Sequence, residues 1–355
     1  RESEGSTNSR EVLLGPIRIG GDVVMATLLV TQKQISELVS MAEVIDAVEK
    51  TFRGMGEGSV INPTKVHLDL GDGESGLPYN AGMNSMPAYI GWLESAGIKF
   101  IGGWEDNPKK GLPYISGMIF LVDPRDGRFL SVMDGTLVTA LRTGAQTAVA
   151  LKYLISEPKK PVIALYGAGA QGRTQAQAIA TALDVKEFRV FDIRKEASRA
   201  FAEEMAPKTG VPITVVDRPE DAVKGAHAVV SVTHARNKFI RDDMIGKGVT
   251  VCPLGSFREC EDELILSADK IIVDHVGQTL HRGALKDVSE SGRLGEEDLY
   301  GTIGEVVAGK KKGRENPEER ILCIPIGTGA MDVTVATLAY RKALEKGVGR
   351  EFPFI

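Results

Sequence analysis

A glycine-rich turn between an apolar stretch and a helical stretch constrains the fold of this chain most. Residues 161–166 predict a buried strand, and Gly167, Gly169 and Gly172 follow it. This is the G-x-G-x-x-G spacing of a dinucleotide-binding βαβ unit. The first glycine permits a tight turn, the second lets a pyrophosphate approach the backbone, and the third lets the helix pack closely on the strand. The N-terminus of the helix then faces the phosphates with unpaired N–H groups.

Glycine-rich turns are common, so the context of this turn decides what it means. A second strand is predicted over 188–191, and it ends at Asp192, about 20 residues beyond Gly172. A carboxylate at that place accepts hydrogen bonds from the adenosine ribose and repels a 2′-phosphate, which favours NAD(H) over NADP(H). Arg194 and Lys195 follow closely and weaken that preference. The alternative is that Asp192 only ends a strand. The strand, the three glycines, the helix and the acid occur in the order and at the spacing of a dinucleotide-binding unit, which favours a role in cofactor binding.

Composition places the chain among ordinary globular proteins. Its 355 residues are enough for one or two domains, and they are 43% hydrophobic and 26% charged. A net charge of −5 gives no indication of a nucleic-acid surface, and no apolar run approaches the ~20 residues of a membrane helix. We therefore expect neither nucleic acid nor membrane as a partner. Three cysteines fit free thiols in a reducing cytoplasm, and the histidine spacing predicts no metal site.

The alternation of predicted elements indicates an α/β protein of two domains. Residues 1–24 are expected to be a disordered extension. Strands alternate with helices from 151 to 325, which predicts a Rossmann-type, doubly wound parallel sheet that binds NAD. Residues 25–150 predict a second, α+β domain for substrate binding and dimerisation, with an antiparallel or mixed sheet. The amphipathic helix within 326–355 is expected to pack back on that second domain.

Local signals place several elements of the second domain. Thr31 with Gln34, and Ser40 with Glu43, have capping-box spacing and predict two consecutive helix starts. Asp332 follows the segment GTGAM and is expected to cap another helix start. Further strands are predicted at 65–70, 86–90, 97–101, 115–122 and 129–132, and a helix from about 136 to 154.

Five segments occur in a specific order: NPTKVHL, AGIKFIGGWEDNPKKGLP, MDGTLVTALRTGAQTAVALKYL, GAGAQG and GTGAMDVTVATL. Together they resemble the ornithine cyclodeaminase/mu-crystallin family from about Met25 to Gly349. That family contains cyclodeaminases, alanine dehydrogenases, cyclic-imine reductases and the thyroid-hormone-binding mu-crystallin. The resemblance implies a Rossmann domain, a second domain that forms a homodimer, and a small amino or imino acid as the substrate.

Three cations lie in segments that match the substrate site of the family. Lys65 and Lys99 begin or sit within strand-like apolar stretches, where a long cation is out of place unless a pocket supplies an anion. Arg142 offers a planar fork suited to a carboxylate. The alternative is that all three extend to the surface or pair with glutamates. Lys99 is also the candidate for proton transfer, because a desolvated lysine near another cation titrates near neutrality.

Two departures from the family limit the choice of substrate. Cyclodeaminases and archaeal alanine dehydrogenases carry an aspartate where Phe257 follows Ser256 here, and Glu259 lies two residues further on. The absent carboxylate counts against an ornithine-type reaction. Asn84 stands where some alanine dehydrogenases have an arginine, which counts against alanine itself, although Asn84 remains a candidate for substrate binding.

The combined expectation is an NAD(H)-dependent oxidoreductase that acts on the C–N bond of a small amino or imino acid. Lys65 and Arg142 hold the substrate carboxylate, and Lys99, with Lys65, forms the catalytic set. The alternatives are an NAD-dependent cyclodeaminase-type lyase and a non-catalytic, mu-crystallin-like protein that binds NAD(P)H and a ligand. The residues expected to contact the cofactor are Gly167, Gly169, Ala170, Gln171, Gly172, Asp192, Arg194, Thr143, Thr233, Gly255 and Ser256.

Overall fold

The structure is a computed structural model that describes residues 17–19, 22–24, 26–73, 75–156, 160–255 and 257–354. Its strands, in chain order, are β1 Ile17–Ile19, β2 Asp22–Val24, β3 Ala26–Val30, β4 Val60–Ile61, β5 Val66–Asp69, β6 Ala81–Ile90, β7 Ser95–Trp104, β8 Ile115–Val122, β9 Phe129–Asp134, β10 Val162–Tyr166, β11 Glu187–Phe191, β12 Ile213–Val215, β13 Ala228–Ser231, β14 Thr250–Pro253, β15 Lys270–Val273, β16 Gly301–Thr302, β17 Ile321–Ile324 and β18 Arg350–Pro353. Its α-helices are α1 Gln32–Leu38, α2 Met41–Glu57, α3 Gly135–Leu154, α4 Ala170–Ala182, α5 Lys195–Thr209, α6 Pro219–Val223, α7 Asp262–Leu266, α8 Val276–Thr279, α9 Lys286–Glu290, α10 Ile303–Val307 and α11 Gly329–Lys346.

Eight of these strands form a fully parallel sheet, hereafter the parallel sheet. Its order is β12-β11-β10-β13-β14-β17-β15-β16. The strand order reverses between β10 and β13, and in open α/β sheets ligands bind at the carboxyl ends of strands beside such a switch point. The doubly wound α/β fold is confirmed, and the strands predicted at 161–166 and 188–191 lie within one residue of β10 and β11 at each end.

A second sheet, hereafter the mixed sheet, has the order β18-β3-β9-β8-β7-β6-β4, with β5 also paired to β6. Its strands pair antiparallel except β3 with β9, which are parallel. Strands β6 and β7 extend beyond the predicted 86–90 and 97–101. Strands β3 and β18 were not predicted, because their short segments pair with each other across more than 300 residues, and β3 also pairs with β9 about 100 residues away.

Part of the predicted extension 1–24 is described in the structure. Strands β1 and β2 pair antiparallel, with Ile19 opposite Asp22. Residues 1–16 lie outside the described residues.

Two long helices connect the sheets. Helix α11 covers the face of the mixed sheet formed by β6, β7 and β8, and it also contacts α2 and α3. Helix α3 begins at the end of β9, capped by the carboxylate of Asp134, which accepts a hydrogen bond from the N–H of Leu137 at 2.8 Å. It then packs against α4 at Gly144, where an added Cβ would lie 2.4 Å from the carbonyl oxygen of Thr174. The close approach places the middle of α3 beside the helix that follows the glycine turn.

Candidate active site

The glycine turn has the geometry that its spacing predicts. Gly167 has φ +99°, a conformation that favours glycine. A Cβ on Gly172 would lie 2.2 Å from the carbonyl oxygen of Gly167, so only glycine allows α4 to start this close to β10. Gly169 is exposed, and a Cβ there would meet open space. Ala170, also exposed, and the half-buried Gln171 open the first turn of α4.

The carboxylate of Asp192 is attached to this turn. One of its oxygens accepts a hydrogen bond from the N–H of Ala168 at 2.9 Å, and the other accepts one from the N–H of Arg194, also at 2.9 Å. The side chain of Arg194 is 72% exposed. A carboxylate has about four lone-pair sites, so further acceptor positions remain for ribose hydroxyls. The structure thus places the predicted acid directly beside the predicted turn.

Three more of the predicted cofactor residues lie close to this turn. Thr233 and Gly255 follow the adjacent strands β13 and β14, and a Cβ on Gly255 would lie 3.4 Å from the carbonyl oxygen of Thr233. Thr143 is buried in α3, and its carbonyl oxygen accepts a hydrogen bond from Gln175 of α4 at 3.2 Å. Ser256 lies outside the described residues.

Glu259, two residues beyond the position of the absent family aspartate, is bonded to the end of β13 and the loop after it. One oxygen of its buried carboxylate accepts hydrogen bonds from the hydroxyl of Ser231 at 2.7 Å and from the backbone N–H and hydroxyl of Thr233. Burial raises the pKa of Glu259 despite these bonds. The carboxylate therefore stabilises the loop after β13.

Lys99 and Arg142 meet at one buried aspartate. The ammonium of Lys99 lies 2.5 Å from one oxygen of Asp332, and Nε of Arg142 lies 2.9 Å from the other. Lys99 also donates to the hydroxyl of Thr139 at 3.1 Å, and Arg142 donates to Gln146 at 2.7 Å. Lys99 and Asp332 are fully buried, and Arg142 is 5% exposed. The prediction that Asp332 caps a helix is wrong, because α11 starts at Gly329 and Asp332 lies inside its first turn.

The environment of Lys99 shifts its titration toward neutrality. Burial lowers the pKa of Lys99 from 10.5 to about 7, the charge of Asp332 opposes that fall, and the charge of Arg142 adds to it. Desolvation is the largest of these causes, because α3 and α11 cover the part of β7 that carries Lys99. A lysine of this kind exchanges a proton readily near pH 7.

Lys65 is the third predicted cation, and it belongs to the same electrostatic cluster. The residue lies just before β5 and is half-buried as a whole, yet loss of solvent around its ammonium is the main reason that its pKa falls to about 7. The charges of Arg282, Arg142 and Lys99 lower the pKa further, and the charge of Asp274 raises it. The structure therefore brings all three predicted cations together.

Asn84 lies on the edge of this cluster. Its side-chain oxygen accepts a hydrogen bond from Arg282 at 3.1 Å and lies 3.1 Å from Nδ1 of His67. Asn84 pairs with Ile101 in the β6–β7 register, two residues along from the pair Met86 and Lys99, so Asn84 and Lys99 share one face of the mixed sheet.

Loops that follow strands of both sheets meet around one cavity. Glu105, after β7, forms an ion pair with Arg236, after β13, at 2.6 Å. The rings of Tyr114 and His234 lie 4.6 Å apart, and the ring of Phe257 lies 5.7 Å from that of His234. These five residues and Pro108 line a cavity of about 170 Å³. Phe257, at the position of the absent aspartate, thus contributes an aromatic wall.

Sequence reasoning missed two charged residues of this site. Asp274 follows the apolar strand β15, and Arg282 lies beyond the short helix α8. A polar residue at the carboxyl end of a parallel strand is a signal for Asp274, but its partners are distant in sequence. Among the described residues, no group of three or more histidine, cysteine or acidic side chains is arranged to hold a metal ion. Within the same part of the chain, no helix is long and apolar enough to span a membrane.

The fold and this site define a Rossmann-type dinucleotide-binding protein whose second sheet contributes a buried lysine to the cleft. The chain belongs to the ornithine cyclodeaminase/mu-crystallin family, whose model matches residues 25–347. The family resemblance found in the sequence is therefore confirmed.

Relatives and solved structures match nearly the whole chain. The alanine dehydrogenase of Archaeoglobus fulgidus is 33% identical over 93% of this chain and 99% of its own length. The Thermococcus litoralis Δ1-pyrroline-2-carboxylate reductase, solved in complex with NADH and L-proline, is 32% identical with a TM-score of 0.85 and covers 91% and 99% of the two chains. An archaeal alanine dehydrogenase dimer with bound NAD is 33% identical with a TM-score of 0.86 and covers 93% and 100%.

Proposed function

We propose that the protein is an NAD(H)-dependent oxidoreductase that acts on the C–N bond of a small amino or imino acid, as an imine reductase or an amino-acid dehydrogenase. The observation that carries the proposal is the buried contact of Lys99 and Arg142 with Asp332, beside the helix that follows the glycine turn. The relatives point the same way, because they are named as a dehydrogenase and a reductase of amino and imino acids. Residues 25–150 with 326–355 form the substrate domain in this proposal, and residues 151–325 form the NAD domain.

The cations divide the work between binding and proton transfer. Lys65 and Arg142 bind the substrate carboxylate and fix the orientation of the C–N bond. The contacts with Asp332 and Gln146 occupy two of the five N–H donors of Arg142, so donors remain for a carboxylate. Lys99 donates a proton to the nitrogen in reduction and accepts one in oxidation. The bound nicotinamide supplies the hydride chemistry, and orientation by the protein supplies much of the rate.

The cofactor residues fit a dinucleotide. In the proposal, the N–H groups at the start of α4 hold the pyrophosphate, and Asp192 accepts from the adenosine ribose. The carboxylate of Asp192 favours NAD(H), and the exposed Arg194 lies near enough to reduce that preference. Cytoplasm is the proposed compartment, since Cys252, Cys260 and Cys323 are all free thiols.

Replacement of Asp192 tests the cofactor preference. We expect Asp192→Ala to weaken NADH binding about tenfold and not to weaken NADPH binding, because the lost carboxylate accepts from a hydroxyl that NADPH lacks and repels the 2′-phosphate that NADPH carries. Fluorescence titration with both nucleotides measures the two affinities. Asp217→Ala, an exposed acid paired with Lys195, is the control. An equal loss of both affinities in Asp192→Ala would remove the reason for preferring NAD(H).

A substrate screen tests the activity. Purified protein with NADH is given pyruvate with ammonia, and separately cyclic imino acids, and absorbance at the NADH maximum is followed. Steady loss of NADH supports an oxidoreductase. Ammonia release from ornithine with no net change in NADH would instead show that the protein is a cyclodeaminase-type lyase. Tight cofactor binding and ligand competition without turnover would instead indicate a mu-crystallin-like binding protein.

A further inference from the structure

Asp274 is a buried carboxylate that none of the roles above uses. It follows β15 at the carboxyl edge of the parallel sheet and is 1% exposed. Its Oδ2 accepts a hydrogen bond from the N–H of Gly327 at 2.5 Å. Its Oδ1 is also buried and has no hydrogen-bond partner among the described residues. Burying a carboxylate with one oxygen unpaired is costly unless a nearby cation compensates.

The hydrogen bond from Gly327 joins Asp274 to the site of Arg142. Gly327 has φ +102°, and a Cβ there would lie 2.0 Å from a terminal nitrogen of Arg142. The guanidinium therefore rests directly on the backbone that Asp274 fixes. Gln278 holds the same residue from the other side, because its side-chain N–H donates to the carbonyl oxygen of Gly327 at 3.2 Å. The carboxylate of Asp274 thus fixes the backbone of Gly327, against which the Arg142 guanidinium packs.

The charges around Asp274 are those of the substrate site. Burial raises the pKa of Asp274, while the Gly327 N–H and the charges of Lys65, His275 and Arg142 lower it. Conversely, the charge of Asp274 raises the pKa of Lys65, against burial and the charges of Arg282, Arg142 and Lys99. The pKa of the Cys323 thiol, on the adjacent β17, is raised mainly by its hydrogen bond with Cys252 and by burial, and the charge of Asp274 adds to that rise.

We propose that Asp274 is a positioning residue of the carboxylate-binding pocket: it holds the Gly327 backbone against Arg142, and its carboxylate supplies negative charge to Lys65. The proposal rests on the proposed function, in which Lys65 and Arg142 bind the substrate carboxylate. Asp274 acts through these two cations and does not itself touch the substrate. It connects the parallel sheet to a pocket that the sequence assigns to the other domain.

Asp274→Asn separates the charge from the hydrogen bond. The asparagine oxygen still accepts from Gly327, so the backbone of the turn is retained, but the negative charge is lost. The titration of Lys65 is then followed by NMR in the full-length protein labelled with ¹³C at lysine Cε, with Lys65→Met assigning the signal. We expect the pKa of Lys65 to fall by about one unit or more, because the attractive charge of Asp274 is gone.

The same variant is then examined by kinetics with the best imino acid substrate. We expect KM at pH 8 to rise about tenfold, since each unit of pKa loss lowers the ammonium fraction about tenfold above the pKa. Turnover should change little, because Lys99 and Asp332 are untouched. Asp269→Asn is the matched control: it lies just before β15, at the opposite end of the strand, and accepts from the N–H of Arg320 at 2.7 Å.

The outcomes distinguish the two proposals. An unchanged Lys65 titration in Asp274→Asn overturns the positioning role, and so does an equal rise in KM when Asp274→Asn is combined with Lys65→Met. A shifted Lys65 titration with no rise in KM in the single variant also overturns it. If Lys65 shifts as expected but the wild-type protein reduces no imino acid, the electrostatic role of Asp274 stands and the proposed function fails.

Discussion

At the scale of single residues, the lysine at position 99 shows how burial and charge together set a proton affinity. Asp332 alone would hold the ammonium protonated far above neutrality. Desolvation and the neighbouring Arg142 outweigh that attraction, and the pKa falls to about 7. Asp332 divides its two oxygens between both cations, which prevents either cation from being fully neutralised. The arrangement therefore favours proton exchange over a static ion pair.

Replacement of this lysine tests its proton-transfer role. We expect Lys99→Met to lower turnover about 100-fold or more while NADH affinity stays within about twofold, because a general acid contributes that much and Lys99 lies apart from the glycine turn. The acid form of Lys99 is lost as pH rises through about 7, so wild-type imine reduction should decline above that pH and amine oxidation should increase. In Lys99→Met, neither imine reduction nor amine oxidation should show this dependence on pH.

A stopped-flow pH series on both proteins measures these effects. Lys270→Met is the control, since Lys270 is another buried lysine, but it is paired with Glu315 and Glu319 outside the site. Wild-type rates in Lys99→Met would show that the lysine only fills space.

At the scale of elements, the contact between α3 and α4 positions the cations relative to the glycine turn. Gly144 lies two positions after Arg142 and one after Thr143, and it faces the backbone of α4 directly. Gln175 of α4 bonds the carbonyl of Thr143 across the same contact. The two helices thus act as one unit, which carries substrate-binding and cofactor-binding residues together.

A methyl group at this contact tests its importance. Gly144→Ala adds about 1 kcal/mol of helix propensity, but its Cβ would lie 2.4 Å from the carbonyl of Thr174. We expect a net loss of about 1–3 kcal/mol in the free energy of unfolding, because a backbone atom cannot yield as a side chain can. Urea denaturation measures this change. Gly246→Ala, where a Cβ meets nothing within 4 Å, should leave stability unchanged, and equal behaviour of the two variants would contradict the argument.

Local signals were sufficient for most elements. Both capping boxes occur as predicted, with Thr31 and Ser40 as the N-caps of α1 and α2. Their bonds involve residues three apart, so the sequence contains the whole interaction. Strands β3 and β18 lacked such a signal, because each is stabilised by a partner from the other end of the chain. The same reason explains Asp332, whose partners Lys99 and Arg142 come 233 and 190 residues earlier.

At the scale of the whole molecule, the site exists only where the two sheets meet. Lys99 comes from the mixed sheet, Asp274 and the Gly327 turn come from the parallel sheet, and Arg142 comes from the helix between them. Sequence reasoning found the three cations through family motifs, whereas their anionic partners required the fold. Hydrophobic pattern and spacing predict each sheet separately, but they do not state which carboxylate faces which lysine.

The outer face of the mixed sheet lies opposite the face that α11 covers. It exposes several large apolar side chains. Phe100 and Met118 are directly paired across β7 and β8 and are 41% and 50% exposed. The ring of Phe120 lies 6.0 Å from that of Phe100 and extends the apolar patch. Val66 and Leu68 of β5 are 67% and 56% exposed, and β5 pairs with β6 in the same sheet. Monomeric proteins seldom expose so many contiguous apolar side chains on one sheet.

The homodimer predicted from the sequence is expected to bury this face against a second copy of the chain. Met118→Glu should convert the dimer to a monomer, because a charge buried at the centre of an apolar interface is costly without a partner. Light scattering after size exclusion measures the mass. Leu266→Glu, at an apolar residue of α7 that is 45% exposed outside the mixed sheet, should remain dimeric. A wild-type monomer, or a Met118→Glu dimer as stable as the wild type, would place the subunit contact elsewhere.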